Sequence, residues 1–142
     1  MTNLQRAKEL FSSGEYTLVL VCGEEVFTSN ERGIAPVLKL ATEGKCLNGY
    51  SAADKIVGRA AALLYARLGI KEVYAEVLSE GGRRVLEAHG IGNSCNVFTQ
   101  NIINRAGDDI CPMEKAVSGT QEPQEAVLLL QAAIARMKAA RR

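Results

Sequence analysis

Apolar residues recur along the chain with spacings that alternate between those of helices and those of strands. LQRAKELFSSG places Leu4, Ala7, Leu10 and Phe11 on one face of a short amphipathic helix, and Gly14 ends it. YTLVLVC is a continuous apolar run rich in β-branched residues, and EVFT follows it after a Gly-Glu turn. The pattern predicts a helix and then a β-hairpin whose first strand is buried on both faces.

Helical periodicity dominates the next part of the chain. IAPVLKLATEG predicts a second helix, with Pro36 in its first turn. The strongest predicted helix runs from Ser51 to Leu68, because its alanines and aliphatic residues form a wide apolar face before Gly69. The Ser-x-x-Asp pattern of Ser51 and Asp54 is typical of a capping box at its start.

The second half alternates strands and helices. KEVYAEVLS predicts a strand, EGGRRVLEAHG a helix, NSCNVFT a strand, CPMEKAV a short helix and EPQEAVLLLQAAIARMKAARR a final helix with a basic last turn. Strands separated by helices indicate parallel neighbours with right-handed crossovers. The chain is therefore predicted to be a single α/β domain over residues 1–142, a three-layer α/β/α sandwich around a mixed sheet of four to five strands.

Composition narrows the class of protein. The chain has 142 residues, 47% of them hydrophobic, and a net charge of +1, which gives no electrostatic footprint for nucleic acid. No apolar run has the length of a signal peptide or a membrane span. Four scattered cysteines without a CxxC pair favour a reducing cytoplasm, and the single histidine, His89, is interpreted as structural at a helix end.

Six segments between Tyr16 and about Val127 carry a family resemblance: YTLVLV, FTSNERGIAPVLKL, SAADKIVGRAAALL, VYAEVLSEGGRRVLEAHGI, NIINRAGDDICPMEKAV and EPQEAV. In these segments the chain resembles a small uncharacterised bacterial family of cytidine-deaminase-like fold. That resemblance implies a hairpin followed by β-α units. It implies no activity, because the family has none established.

The resemblance also locates the positions at which a zinc deaminase would hold its metal. Such an enzyme needs a His or Cys followed by Ala-Glu at the start of the helix after the hairpin, and Pro-Cys-x-x-Cys at the start of the helix after the third strand. On the predicted elements, SAADK and SEGGR occupy these places, and neither holds a zinc ligand set. We therefore expect no metal and no cofactor.

Two residues are candidates for catalysis. Cys111 precedes Pro112, so it is predicted to cap a helix whose dipole favours a thiolate, with Lys115 adding to this effect. The alternative is a packing thiol, with Glu114 reaching back to close the helix start. Asp54 is either part of the capping box or a remnant of a catalytic carboxylate.

The candidate ligand-binding residues lie at predicted helix starts and in polar loops. Helix N-termini suit anions, and polar loops combine donors with acceptors. Two adjacent carboxylates could also attract magnesium, which is weak evidence for a metal site. The candidates are Arg32, Gly33, Ser51, Lys55, Asn104, Arg105, Asp108, Asp109 and Glu114.

Three functions remain compatible with these features. The favoured one is a binding protein for a small polar or nucleotide-like ligand, without a metal. The alternatives are an enzyme that uses Cys111 or Asp54 without zinc, and a structural or interaction protein that has lost catalysis. Apolar surface on the long predicted helix and on the C-terminal helix favours a homo-oligomer, with neither nucleic acid nor membrane as a partner.

The zinc motifs give a direct test. Because both deaminase positions lack a ligand set, protein purified without added metal is expected to contain no stoichiometric zinc in elemental analysis. Stoichiometric zinc that survives dialysis against a chelator would contradict this interpretation.

Overall fold

The computed structural model describes residues 1–140 and contains a mixed five-stranded sheet with helices on both faces. The strand order is β2-β1-β3-β4-β5. β1 is antiparallel to β2 and β3, whereas β3, β4 and β5 run parallel. The strands are β1 (Leu18–Cys22), β2 (Glu25–Ser29), β3 (Ser51–Val57), β4 (Glu72–Ser79) and β5 (Gly92–Thr99).

Within residues 1–140, six helices connect and cover these strands. The predicted final helix includes Arg141 and Arg142, which lie outside the described residues. No helix in the described part of the chain is both long and apolar enough to cross a membrane. The helices are α1 (Asn3–Phe11), α2 (Ala35–Thr42), α3 (Arg59–Leu68), α4 (Glu80–Ala88), α5 (Pro112–Ala116) and α6 (Pro123–Ala140).

The predicted β-hairpin is confirmed. β1 pairs with β2 from Leu18 opposite Ser29 to Cys22 opposite Glu25. The turn contains Gly23 with a φ of +59°, a backbone conformation that glycine adopts without a steric cost. Residues 18–21 are buried because β1 lies between β2 and β3 under helices on both faces.

The predicted helix from Ser51 to Leu68 is wrong in its first half. Residues Ser51–Val57 form strand β3, Gly58 makes the turn, and α3 begins at Arg59. Ala52 and Ala53 are fully buried between β1 and β4, so pairing inside the sheet overrides the helical preference of an alanine-rich segment. The segment SAADK therefore does not open a helix.

The predicted capping box of Ser51 and Asp54 is consequently wrong as well. Ser51 is buried at the start of β3, opposite Val21 and Glu72 of the neighbouring strands. It lies eight residues before Arg59, where α3 begins, and at the opposite end of strand β3. The N-cap of α3 is Gly58, which has no side chain to offer.

The two faces of the sheet are covered unequally. α1 packs alone on one face, where Ala7 contacts a small cluster that includes Val19, Val21 and Ala53. The main core lies on the other face, under α2, α3, α4 and α6. Within this core α3 is the central helix, and its residues Ala60–Tyr65 are buried.

Asp54 points from β3 towards α3 and meets a buried tyrosine. The Tyr65 hydroxyl donates a hydrogen bond to Asp54 Oδ2 at 2.5 Å, and the Lys55 amide donates to Oδ1 at 2.7 Å. Burial raises the pKa of Asp54 from 3.8 to about 7, although both hydrogen bonds act in the opposite direction. The pKa of Tyr65 is raised well above its usual value by the same burial and by the nearby carboxylate.

This raised pKa predicts a specific pH dependence. The folded state holds the Asp54 proton more tightly than the unfolded chain, so the associated stability is present below pH 3.8 and is lost as the pH rises towards about 7. The free energy of unfolding, measured with urea, should fall across this window. Asp54→Asn should make the curve flatter, because the amide does not titrate and can still accept from Tyr65.

A matched control is Asp108→Asn, which changes an exposed carboxylate and should keep the wild-type slope. A slope in Asp54→Asn equal to that of the wild type would show that Asp54 does not retain its proton in the folded state.

Candidate functional site

A cleft of about 270 Å³ opens at the carboxyl ends of β3 and β4. In open α/β sheets, the strand ends and the helix starts that follow them are where ligands usually bind. α3 and α4 begin here directly after their strands. The cleft is lined by Arg59, Ser79, Gly81, Gln100, Asn101, Ile110, Glu114, Lys115 and Ser118.

The Glu114 carboxylate lies on the N-terminus of α3. Its Oε1 accepts a hydrogen bond from the Arg59 amide at 2.7 Å, and its Oε2 accepts one from the Ala60 amide at 2.8 Å. These two amides belong to the four at a helix start that lack partners within the helix. Glu114 therefore caps α3 from a segment that is distant in sequence. The alternative prediction, that Glu114 reaches back to the start of its own helix α5, is wrong.

Gly58 leaves the space that this carboxylate occupies. A Cβ atom at this position would collide with the Glu114 carboxylate and would lie 2.8 Å from Cγ1 of Ile102. Any larger residue would displace the Glu114 carboxylate and the Ile102 side chain from the start of α3. The small residue before the helix is thus a requirement of the Glu114 cap.

Arg59 fixes the other side of the same segment. Its Nε donates to the Val117 carbonyl at 3.0 Å, and its terminal nitrogen donates to the Thr120 carbonyl. Val117 and Thr120 are both buried. Two side chains therefore hold this region to the start of α3. Glu114 of α5 binds the first amides of α3, and Arg59 of α3 binds two carbonyls of the residues after α5.

The start of α4 forms the neighbouring wall. Ser79 is its N-cap, and its hydroxyl accepts a hydrogen bond from the Gly82 amide at 2.9 Å. Gly82 lies close to the turn after β3, because a Cβ atom there would be 2.9 Å from the Val57 carbonyl oxygen. The SEGGR segment therefore opens a helix as predicted, and its second glycine serves close packing.

The cleft contains one partly buried carboxylate, that of Glu114, and two nearby cations, Arg59 and Lys115. Burial raises the pKa of Glu114, against the hydrogen bonds from Ala60 and Arg59 and the charge of Arg59, which lower it. Lys115 forms an exposed ion pair with Asp109, and its hydrogen bond lowers the pKa of that carboxyl. Exposed pairs of this kind contribute little to stability but can orient a loop.

The NRAGDD segment is a short hairpin turn. Ile103 and Ile110 form an antiparallel bridge, and the Asn104 amide donates to the Asp109 carbonyl at 2.8 Å. The Asn104 side chain accepts from the amides of Gly107 and Asp108 at 2.9 and 3.2 Å. The polar residues predicted to form a ligand site thus bond mainly to one another, with Asn104 as the organising side chain.

The remaining polar groups of this turn have local roles. Asn104 Nδ2 donates to Asp108 Oδ1 at 3.0 Å, Asp109 accepts from the Ile110 amide at 2.7 Å, and Arg105 is exposed. Within residues 1–140, no three His, Cys, Asp or Glu side chains lie close enough together to hold a metal ion.

Cys111 occupies the N-cap position of α5, as its proline predicted, but its side chain makes no capping hydrogen bond. Its amide donates to the Ile102 carbonyl at 2.9 Å, which closes the preceding hairpin. The thiol is half-buried, and it is not among the groups that line the cleft. α5 has five residues, so its dipole is that of little more than one turn.

The other predicted residues are dispersed. Arg32 and Gly33 lie exposed between β2 and α2, where Gly33 has a φ of +74°. Ser51 and Asp54 lie within β3, away from the cleft. Lys55 borders a second cavity of about 370 Å³ on the α1 face, which is lined by Lys8, Phe11, Ser12, Gly14, Tyr16, Lys55, Tyr74, Glu76 and Asn96.

Of the candidates, only Glu114 lines the cleft. Lys115, which was expected to favour a Cys111 thiolate, lines it as well. Sequence reasoning missed Arg59, Ser79, Gln100 and Asn101 as site residues. Their positions could have indicated them, because ligands bind at the carboxyl ends of parallel strands. Arg59 begins α3, Ser79 ends β4, and Gln100 and Asn101 follow β5. These positions are evident only when Ser51–Val57 is recognised as strand β3, because that places the start of α3 at Arg59.

The Glu114 cap gives a stability prediction. Glu114→Ala should lower the free energy of unfolding by about 1–2 kcal/mol, because the Arg59 and Ala60 amides lose a buried acceptor. Urea unfolding monitored by circular dichroism measures this change. Glu125→Ala, which removes an exposed carboxylate from the first turn of α6, is the matched control and should cost less. Equal losses in both variants would contradict the cap.

Comparison with known proteins identifies the family but not an activity. No curated protein sequence matches this chain significantly. The crystal structure of a DUF1893 family protein (TM1506) from Thermotoga maritima is similar, with a TM-score of 0.84 and 26% sequence identity over 93% of this chain and 90% of that one. The family model described as a domain of unknown function, DUF1893, matches residues 6–134. Because this match spans most of the chain, the protein belongs to the DUF1893 family.

Proposed function

We propose that this protein binds a small polar ligand in the cleft at the carboxyl ends of β3 and β4. The observation that carries the proposal is the cleft itself, which gathers side chains from four separate segments at the ligand-binding edge of the sheet. Its walls offer the side-chain amides of Gln100 and Asn101, which can donate and accept. They also offer the Ser118 hydroxyl, which donates to the Lys115 carbonyl and can still accept from a ligand.

Size and charge limit the class of ligand. A volume of about 270 Å³ is at the lower end of ligand pockets, so a molecule no larger than a nucleoside fits better than a dinucleotide. The amides at the start of α3 already bind the Glu114 carboxylate, and a phosphate would compete with it. A nucleoside or a small amide is therefore a better candidate than a nucleotide bound through its phosphates.

The scaffold is proposed to be cytidine-deaminase-like. The order β2-β1-β3-β4-β5, with an antiparallel hairpin joined to parallel β-α units, supports this proposal together with the family resemblance. On that scaffold the zinc residues would fall at the starts of α2 and α3. These places hold Ala35-Pro36 and Gly58-Arg59, which do not fit a zinc ligand set.

An enzyme that uses Asp54 or Cys111 has less support. Asp54 is hydrogen-bonded to Tyr65 beneath α3, and the Cys111 thiol does not line the cleft. A cytoplasmic setting remains part of the proposal, supported by free thiols at all four cysteines.

A thermal-shift screen of nucleosides, small amides and sugars tests the proposal. A true ligand at a hundred times its dissociation constant should add roughly 2.7 kcal/mol to the free energy of unfolding. Asn101→Ala should weaken binding of that ligand, because an amide of the cleft wall is lost. Asn96→Ala, in the second cavity, is the matched control and should bind as the wild type does.

Two results would contradict a binding role for the cleft. One is a screen in which none of these compounds stabilises the protein. The other is a ligand whose affinity falls in Asn96→Ala but not in Asn101→Ala, which would place it on the opposite face of the sheet.

A further inference from the structure

Strand β5 forms an edge of the sheet without the usual protection. Across the described part of the chain, β5 is hydrogen-bonded to β4 and to no other strand. Its eight residues, GNSCNVFT, include neither a charged residue nor a proline. Edge strands normally carry lysines, prolines or bulges, because their free amides and carbonyls pair readily with another strand.

The other edge of the sheet, strand β2, differs in length and in charge. β2 is five residues long and begins at Glu25, after Glu24 in the turn. The Tyr50 hydroxyl donates to the Glu25 carboxylate, so a charge is fixed at the start of this edge. β2 is therefore the shorter edge and carries the charge that β5 lacks.

Apolar side chains accompany the free backbone of β5. Val97 and Phe98 are 49% and 48% exposed. The Arg83 guanidinium of α4 stacks on the Phe98 ring at 4.2 Å and donates towards the Cys95 sulfur at 3.5 Å. The strand is thus supported from the α4 side, while its outer edge stays open and partly apolar.

We propose that β5 pairs antiparallel with β5 of a second copy of this chain, which joins two five-stranded sheets into one of ten strands. A strand without charges places no like charges opposite each other when it pairs with itself. An antiparallel pair of identical strands has two-fold symmetry, so the assembly closes as a dimer instead of growing into a filament.

This surface differs from the one that the sequence suggested for self-association. The apolar residues of α3 are buried in the core of one chain, so this helix leaves no wide face for a partner. On α6, Leu128 is exposed, but Leu130 is buried and Leu129 and Ile134 pack against the core. β5 instead offers free backbone groups together with exposed apolar side chains.

The dimer would also affect the cleft. Gln100 and Asn101 follow β5 directly and line the cleft, so an ordered β5 pair fixes the chain that carries these two amides. Antiparallel pairing places the two clefts at opposite ends of the joined sheet. This consequence does not depend on the identity of the ligand, and the dimer is testable without one.

Sedimentation velocity over a range of protein concentrations tests the proposal. The wild type should sediment with twice the 15.3 kDa mass of the chain, and Val97→Lys should halve that mass, because a lysine on an edge strand discourages pairing with another strand. Val26→Lys changes a similarly exposed valine, 44% exposed, on the β2 edge and should remain dimeric. Ser94→Lys, at an exposed position, repeats the test if Val97→Lys fails to fold by circular dichroism.

Amide hydrogen exchange locates the interface independently of any variant. β5 amides that do not bond to β4 should exchange more slowly at high protein concentration than at low concentration. A wild type of 15.3 kDa at all concentrations would overturn the proposal. So would a folded β5 variant that stays dimeric, or a Val26→Lys variant that dissociates. Slowed exchange on α6 with unchanged exchange on β5 would place the contact at α6 instead.

Discussion

The carboxylate of Glu114 on the first amides of α3 is the interaction on which the architecture of the cleft depends. It joins the start of the central helix to a segment more than fifty residues later in the chain. The opposite contact, from Arg59 to the carbonyls after α5, makes the connection reciprocal. Without this pair the α5 segment would have no polar attachment to α3, and the cleft would lose one of its walls.

The same contact also determines what the cleft can bind. Helix N-termini at the ends of parallel strands commonly attract anions, but here a side chain of the protein supplies the negative charge. The partly buried carboxylate has a raised pKa, so it is more easily protonated than an exposed glutamate. The groups that remain for a ligand are mostly amides and hydroxyls, which suit polar molecules of low charge.

Much of the fold could be predicted from local sequence patterns, because hairpins and amphipathic helices are encoded over short distances. The sequence predicted the correct type of secondary structure for the hairpin β1–β2 and for helices α4 and α6. β3 was not, since its alanines favour a helix until β1 and β4 pair with them. This error moved the predicted helix start from Arg59 to Ser51.

The candidate site was harder to predict because its main contact joins distant segments. Glu114 was recognised as a candidate, but its partners are more than fifty residues away, and no local spacing indicates such a contact. The polar NRAGDD loop looked like a ligand site because it is rich in donors and acceptors. In the structure, Asn104 uses most of that capacity to hold the turn.

Amide hydrogen exchange at Arg59 and Ala60 tests the Glu114 contact most directly. Both amides are at the start of a helix and have no helical acceptor, so only an external partner can protect them. The account predicts that they exchange slowly in the wild type and much faster in Glu114→Ala, while Leu63 and Leu64 in the same helix stay protected. Fast exchange of Arg59 and Ala60 in the wild type would contradict it.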